Sequence, residues 1–133
     1  MPDAHTALAR RLQYAIAAVF IILGGWCLAA PTSVIAMTVR PDFHTEASLA
    51  VVALGAFGAQ AMLAGLFAGF SIFTRWTFFA YGIALLPFFV FDWWFFFVTP
   101  MFNEFILLDA AGNVVMLCLC AYGYTLLSKT QAA

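Results

Sequence analysis

Four long apolar segments, separated by short polar breaks, most strongly constrain what this chain can fold into. They cover about residues 12–30, 46–73, 76–98 and 102–127. A helix needs roughly 20 apolar residues to cross the hydrocarbon core of a bilayer, so each segment is long enough to span a membrane. Because 66% of the residues are hydrophobic and 8% are charged, there is too little polar surface for a soluble globule. The sequence therefore predicts an all-α fold, a single-domain integral membrane bundle of four transmembrane helices.

The first apolar segment allows a second interpretation. Arg10 and Arg11 precede it, and Leu28-Ala29-Ala30 near its end resembles the cleavage site of a signal peptide. We favour a retained first helix, because the four segments then form an even and tightly connected bundle. Residues 31–45 are expected to form the longest loop, with apolar side chains lying along the membrane interface.

The basic residues near the ends of the spans predict the orientation in the membrane. One side of the bundle collects Arg10, Arg11, Arg75 and Lys129, and the other side has Arg40. Cytoplasmic loops carry the excess of Lys and Arg, so both termini are expected in the cytoplasm. The long loop and the turn at Pro100 then face outward.

Two carboxylates lie within the last two spans, where ionisable side chains are rare. Asp92 and Asp109 are eight and nine residues from Pro100, so an antiparallel hairpin places them at nearly the same depth, roughly 12 Å below the turn. Asn113 shares a helical face with Asp109, because it follows four residues later. Intramembrane ionisable residues usually face a bundle interior or a water-filled cavity. We therefore expect a polar pocket on the outward side, formed by Asp92, Asp109 and Asn113.

Several functions are open to such a pair. Carboxyls in hydrocarbon must be protonated, hydrogen-bonded, paired or hydrated, and two that meet would share a proton. The first hypothesis is an accessory subunit or a binder of a lipophilic ligand, such as a quinone, a sterol or a lipid. The second is an intramembrane enzyme, an isomerase or an oxidoreductase partner, with the paired aspartates as acid and base. The third is a purely structural subunit, in which these residues only tie two helices together.

Other polar and aromatic residues are candidates for the same site. Tyr81 shares a face with Asp92, Trp93 lies in an aromatic block, and Gln60 lies in the middle of the second span. The aromatic block fits a belt at the membrane interface, or else a wall around a flat ligand. Gln60 is expected to hydrogen-bond another helix in preference to a ligand. Candidates for a lid or for charge pairing are Arg40, His44 and Glu104.

Small residues on the second span predict close helix packing. Gly58, Gly65 and Gly69 fall on one helical face, and Gly65 and Gly69 form a GxxxG motif. Packing within the chain is favoured, and pairing of copies in a homo-oligomer or a larger membrane complex is the alternative.

Other functional classes lack their motifs. The chain has no nucleotide-binding loop or catalytic triad, and its two histidines lie outside the spans. Cys27, Cys118 and Cys120 have no metal-ligand spacing and are interpreted as small buried hydrophobes, so no metal or cofactor is predicted. A net charge of −1 without a run of Lys and Arg gives no argument for nucleic acid.

The layout of the chain also resembles a known family. A Gly24-Gly25-Trp26 helix ends in Leu28-Ala29-Ala30-Pro31, and a glycine-rich helix and two closing helices with an acidic turn follow. This arrangement resembles the small four-helix bacterial membrane proteins called DoxX-like. The resemblance implies a multi-pass protein of the bacterial inner membrane, with an accessory or quinone-adjacent role beside membrane oxidoreductases.

Overall fold

The computed structural model describes residues 4–45 and 47–130 of the chain. Five α-helices contain most of these residues: α1 (Ala4–Ala29), α2 (Pro31–Thr38), α3 (Ser48–Phe70), α4 (Arg75–Trp93) and α5 (Ile106–Thr130). A short 3-10 helix, Pro41–Phe43, follows α2, and α4 continues into a π-helical turn at Trp94–Val98. Within the described ranges, the only β-pairing is an isolated bridge between Val39 and Phe102.

Four helical segments are long and apolar enough to cross a membrane, which confirms the predicted all-α fold and the number of spans. These segments are Ala4–Ala29, Ser48–Phe70, Arg75–Val98 and Ile106–Lys129. Neighbouring spans are antiparallel, so the connections between them lie alternately at two ends of the bundle. The termini end holds the start of α1, residues 71–74 and the end of α5. The connector end holds residues 30–45 and 99–105.

The long connection between the first two spans differs from the prediction. The sequence predicts a loop over residues 31–45, but Pro31–Thr38 form the helix α2. Pro31 is compatible with this helix because it lies in the first turn, where a missing backbone N–H leaves no intrahelical hydrogen bond unmade. Glu46, where the second span is predicted to begin, lies outside the described residues.

The turn between the last two spans is also longer than predicted. Thr99 ends the π-helical turn, its N–H donating to Trp94 O over 2.9 Å, and it does not cap the last helix. That helix begins at Ile106 and not near residue 102, because residues 101–103 hydrogen-bond elsewhere. The backbone of this segment is thereby free to contact the other connection.

Glycines let α1 and α3 pack with their backbones in contact. A Cβ atom added at Gly58 would lie 2.5 Å from Gly24 O, and one added at Gly24 would lie 2.7 Å from Gly58 O. Gly65 is similarly close, since its added Cβ would lie 2.9 Å from Ala17 O. Gly69 is looser, with 3.8 Å between an added Cβ and the Cβ of Ala17. These glycines therefore serve packing within the chain, the use that the sequence favours.

A larger side chain fills the space between α4 and α5. Phe78 of α4 is fully buried against Gly123 of α5. Tyr81 links α4 to α3, because its hydroxyl donates to Ala64 O over 2.9 Å. α1 also contacts α5, so the core draws on four helices and includes Ile16, Ala17, Ala68, Phe78, Leu85, Met116 and Cys120.

Gln13 of α1 holds the termini end together. Its side chain is 1% exposed, and its Nε2 donates to Ala68 O over 2.6 Å and to Ser71 O over 2.9 Å. Its Oε1 accepts from the N–H of Phe73 over 3.4 Å. Arg10 adds a further donor to Ser71 O at 3.2 Å. These donors satisfy carbonyls at the C-terminal end of α3, which the helix itself leaves free.

Hydrogen bonds between the two connections close the opposite end. The N–H of Arg40 donates to Met101 O over 2.8 Å, and the N–H of Asn103 donates to Thr38 O over 2.9 Å. The side chain of Asn103 donates to Met37 O over 2.7 Å, and Arg40 Nε donates to Phe102 O over 2.9 Å. We call this set of contacts the connector joint. It fixes the segment that leads into α5.

Candidate functional site

Asp92 and Asp109 lie on neighbouring helices near the connector end. Asp92 is the next-to-last residue of α4, just before the π-helical turn, and Asp109 lies in the first turn of α5. Asp92 comes six residues before the end of its span and Asp109 three residues after the start of its span. At the helical rise per residue, both carboxyls are roughly 5 to 9 Å from the ends of the spans. Asn113 reaches both carboxyls, which therefore lie at a similar level in the bundle.

Asn113 connects the two carboxylates. Its Nδ2 donates to Asp109 Oδ2 over 2.9 Å within α5, and to Asp92 Oδ2 over 3.5 Å across to α4. The two carboxyls are also close enough to interact directly with each other. The structure thus brings together the three residues that depth and helical face predict. We call Asp92 and Asp109, with their shared partner Asn113, the carboxyl pair.

The carboxyl pair contains more hydrogen-bond acceptors than donors. Of its four carboxyl oxygens, the two Oδ2 atoms accept from the single amide nitrogen of Asn113. Within residues 4–45 and 47–130, no Lys, Arg or His interacts with either carboxylate. Asp92 is only 6% exposed. A group so placed needs a proton, a cation or an additional donor to be stable in an apolar medium.

The oxygens that lack a donor are not sealed inside the protein. Among the described residues, Arg75 Nε, at the termini end, is the one fully buried side-chain polar atom without a hydrogen bond. The Oδ1 atoms of the pair therefore keep some access to the surroundings. A cavity of about 330 Å³ lies nearby at the connector joint, lined by Arg40, Asn103, Glu104 and Phe105, and none of the three pair residues lines it. Access to the pair is thus separate from this cavity.

Cys27 brings a third helix to the carboxyl pair. This buried thiol of α1 lies beside α3, since a Cβ added at Gly58 would be 2.8 Å from Cys27 Cβ. It is also close enough to Asp109 to interact with it electrostatically. Asp109 is therefore within electrostatic range of the α1–α3 crossing. The sequence predicts only a small buried hydrophobe here, because its apolar flanks carry no sign of Asp109.

Three other candidate ligand-site residues lie elsewhere. Tyr81 is eleven residues before Asp92 in α4, or about three helical turns, and its hydroxyl is bound to Ala64 O. Trp93 is exposed, with its ring centroid 6.4 Å from that of Trp94. Gln60 is exposed on the side of α3 away from α1, and it makes no hydrogen bond to another helix within the described residues. Trp93 directly follows Asp92 in the sequence, but none of the three makes a hydrogen bond to the carboxyl pair in the described part of the chain.

The three residues considered for a lid or for charge pairing belong to the connector end, but none pairs with the carboxylates. Arg40 is bound to Phe102 O through its Nε, and His44 Nε2 makes a 2.8 Å hydrogen bond with Val39 O. Glu104 is exposed beside the cavity that Arg40 also lines. The roles of Arg40 and His44 in the described chain are to stabilise the backbone of the connections.

Two structurally important polar residues were not predicted from the sequence. Gln13 has a detectable signal, an amide placed just inside an apolar segment after Arg10 and Arg11. Asn103 has none, because its partners Met37 and Val39 are more than 60 residues away along the chain. Both residues act on backbone groups and neither contacts the carboxyl pair.

The chemistry open to the carboxyl pair follows from its unmatched acceptors. It can hold a shared proton, donate that proton to a carbonyl, or accept a hydrogen bond from a hydroxyl. In the described part of the chain, no group of three or more His, Cys, Asp or Glu residues is arranged to hold a metal ion. No protein-family model, no curated protein and no solved structure matches this chain.

Proposed function

We propose that this chain is a multi-pass membrane protein that binds a lipophilic molecule through a hydroxyl or carbonyl group at the carboxyl pair. A quinone, a sterol or a lipid has the required chemistry. The observation that carries the proposal is the unequal supply of hydrogen-bonding groups, two carboxylates against the amide of Asn113. A ligand group that enters this site supplies what the described chain does not. Its role is that of an accessory subunit that holds such a molecule.

A shared proton adapts the pair to either kind of ligand group. The protonated carboxyl donates to a carbonyl oxygen, and the ionised one accepts from a hydroxyl. Aromatic rings near the pair offer a surface for the apolar body of the ligand. Phe91, Phe95 and Phe102 form a cluster with centroid separations of 4.7, 5.7 and 5.8 Å, and Phe91 directly precedes Asp92.

The distribution of charge supports an orientation with both termini in the cytoplasm. Arg10, Arg75 and Lys129 lie at the termini end, and Arg40 lies at the connector end. The carboxyl pair then lies in the outer half of the membrane, where a ligand enters from the outer leaflet. The DoxX-like layout supports a bacterial inner membrane and a membrane oxidoreductase as partner.

A structural role is the second candidate, and one contact favours it. Asn113 of α5 donates to Asp92 of α4, so the cluster joins the two helices directly. In this role the carboxyl pair holds α4 against α5 and binds nothing else. The binding role and the structural role predict different effects of removing one carboxylate.

Replacing Asp92 or Asp109 by Asn distinguishes them. Each substitution keeps the shape of the side chain but removes its negative charge and its acidic proton. We expect the affinity for a short-chain ubiquinone, titrated into the full chain in lipid nanodiscs, to fall about tenfold, as expected for one charge-assisted hydrogen bond. Native mass spectrometry of the same samples measures which lipids and quinones remain bound after purification.

Asp42→Asn is the matched control, because it makes the same chemical change at an exposed carboxylate in the 3-10 helix. It should leave the quinone affinity unchanged. Suppose instead that Asp92→Asn and Asp109→Asn keep wild-type affinity and wild-type bound lipid, but unfold more easily. The structural role would then be correct and the binding proposal wrong.

A further inference from the structure

One face of α3 is exposed along its whole length and repeats with a regular spacing. We call it the α3 outer face, and its residues are all exposed: Leu49, Ala53, Ala56, Gln60, Leu63 and Phe67. Successive members are separated alternately by four and three residues. Every face of a helix has this spacing, so it allows packing along another helix, and Gln60 is what distinguishes this face from its exposed neighbours.

Gln60 makes this face unsuited to lipid alone. It lies 12 residues after Ser48 and 10 residues before Phe70, so it is close to the middle of its span. Its side-chain amide has no hydrogen-bond partner among the residues that the structure describes. Lipid tails offer no donor or acceptor at that depth, so an amide there is stable only beside another polar group.

The described residues leave this face uncovered. The opposite side of α3 is already occupied by α1, through backbone atoms. On the flank, α4 contacts α3 through Tyr81 on the carbonyl of Ala64 and through Phe88 beside Phe57, with ring centroids 6.1 Å apart. Neither contact gives Gln60 a hydrogen bond, so a polar partner for its amide would come from a separate molecule.

A second copy of this chain has the right chemistry. An amide is both donor and acceptor, so two Gln60 side chains can satisfy each other in a reciprocal pair. A two-fold axis along the membrane normal places both Gln60 residues at the same depth and sets the two α3 helices parallel. Ala53 and Ala56 leave room for the two backbones to approach closely.

We propose that this protein forms a homodimer in the membrane, through the α3 outer face, with Gln60 paired to Gln60 across the two-fold axis. This interface is distinct from the glycine face of α3, which is covered by α1. It is also separate from the carboxyl pair on α4 and α5, and it does not depend on the proposed ligand.

Energy transfer between labelled copies tests the dimer. The full chain, carrying a donor or an acceptor fluorophore at its C-terminus, is reconstituted in vesicles over a range of protein-to-lipid ratios. We expect Gln60→Leu to raise the dissociation constant about tenfold, and Gln60→Asn to recover part of the loss because it restores an amide. Gln60 is exposed, so these substitutions should leave the thermal unfolding of the single chain unchanged.

A pair of alanines supplies a matched control on the same helix. Ala56 lies on the α3 outer face, and Ala59 is exposed about 60° around the helix from it, outside that face. Ala56→Leu should weaken the dimer by separating the two backbones, and Ala59→Leu should not. A wild-type protein that is monomeric at every protein-to-lipid ratio would overturn the proposal. Equal dimerisation of wild type, Gln60→Leu and Ala56→Leu would also overturn it, since the copies would then meet elsewhere.

Discussion

Gln13 and Asp92 are the buried polar side chains of the described residues, and they lie at opposite ends of the bundle. Gln13 uses both its donor and its acceptor atoms, on Ala68, Ser71 and Phe73. Asp92 accepts one long hydrogen bond, 3.5 Å, from the Asn113 amide, which also donates to Asp109 over 2.9 Å, although both carboxylates are acceptors when ionised. The hydrogen-bonding groups of Gln13 are all paired within the chain, whereas those of Asp92 and Asp109 need an added proton or ligand.

This difference separates a structural polar group from a functional one. A neutral amide that satisfies three backbone groups stabilises the fold and needs no ligand. Two carboxylates with a single shared amide reduce stability unless a proton or a ligand accompanies them. Local conflict of this kind is expected at functional sites. The carboxyl pair is therefore the better place to look for binding, and Gln13 for stability.

Gln13→Leu should have the largest effect on stability. It leaves Ala68 O without its donor and the N–H of Phe73 without its acceptor, and Ser71 O then keeps only the longer bond from Arg10. Gln13 is 1% exposed. We expect a loss of about 3 kcal/mol, the usual cost of buried polar groups left unpaired. Unfolding of the full chain in mixed detergent micelles measures it.

Gln60→Leu is the control for that prediction, because it makes the same substitution at an exposed position. Measured on dilute, monomeric protein, it should change the free energy of unfolding by less than about 0.5 kcal/mol. An effect of Gln13→Leu no larger than this would mean that water or detergent replaces the amide. The contrast between the two ends would then disappear.

The carboxyl pair and the number of spans could be predicted from the sequence for simple physical reasons. Apolar length fixes the number of spans. The nearly equal distances of Asp92 and Asp109 from Pro100, eight and nine residues, predict a similar depth, and a four-residue spacing places Asn113 beside Asp109. The contact of Gly58 with α1 follows the same logic, since small residues allow helices to approach in lipid.

Features that depend on partners distant in the sequence could not be predicted. The sequence predicts a hydrogen bond from Gln60 to another helix, but Gly24 and Gly58 set the rotation of α3 against α1 and leave Gln60 on the outer side, with no partner among the described residues. The connector joint pairs Arg40 with Met101, which are 61 residues apart. No local sequence pattern in either segment predicts that pairing. The start of α5 is therefore predicted too early in the chain.

Asn113→Leu should have an intermediate effect that depends on the two carboxylates. It removes the amide that both Oδ2 atoms share, and we expect a loss of about 2 kcal/mol. In a chain that also carries Asp92→Asn and Asp109→Asn, the loss should fall to about 1 kcal/mol or less, because no charge remains to be satisfied. A double-mutant cycle on the free energy of unfolding gives the difference. Equal losses in both backgrounds would show that Asn113 only fills space.

Asn103→Ala should have the smallest effect, although it acts at the same end as the carboxyl pair. Asn103 donates to Met37 O over 2.7 Å and accepts from the N–H of Phe105 over 2.9 Å. Because Asn103 is only partly buried, water can replace much of this, and we expect a loss of about 1 kcal/mol.

Hydrogen exchange tests where that loss is located. The amides of Arg40 and Asn103, which form the connector joint, should exchange faster in Asn103→Ala, while the amides of the α1–α3 crossing at Gly58 keep their protection. The affinity for the short-chain ubiquinone should stay within about twofold of wild type, since Asn103 contacts neither carboxylate and twofold is well under 1 kcal/mol. A drop as large as that expected for Asp92→Asn would mean that the connector joint holds the carboxyl pair in place. In that case the contacts of the connector joint, and not the number of hydrogen-bond donors, would distinguish the two ends of the bundle.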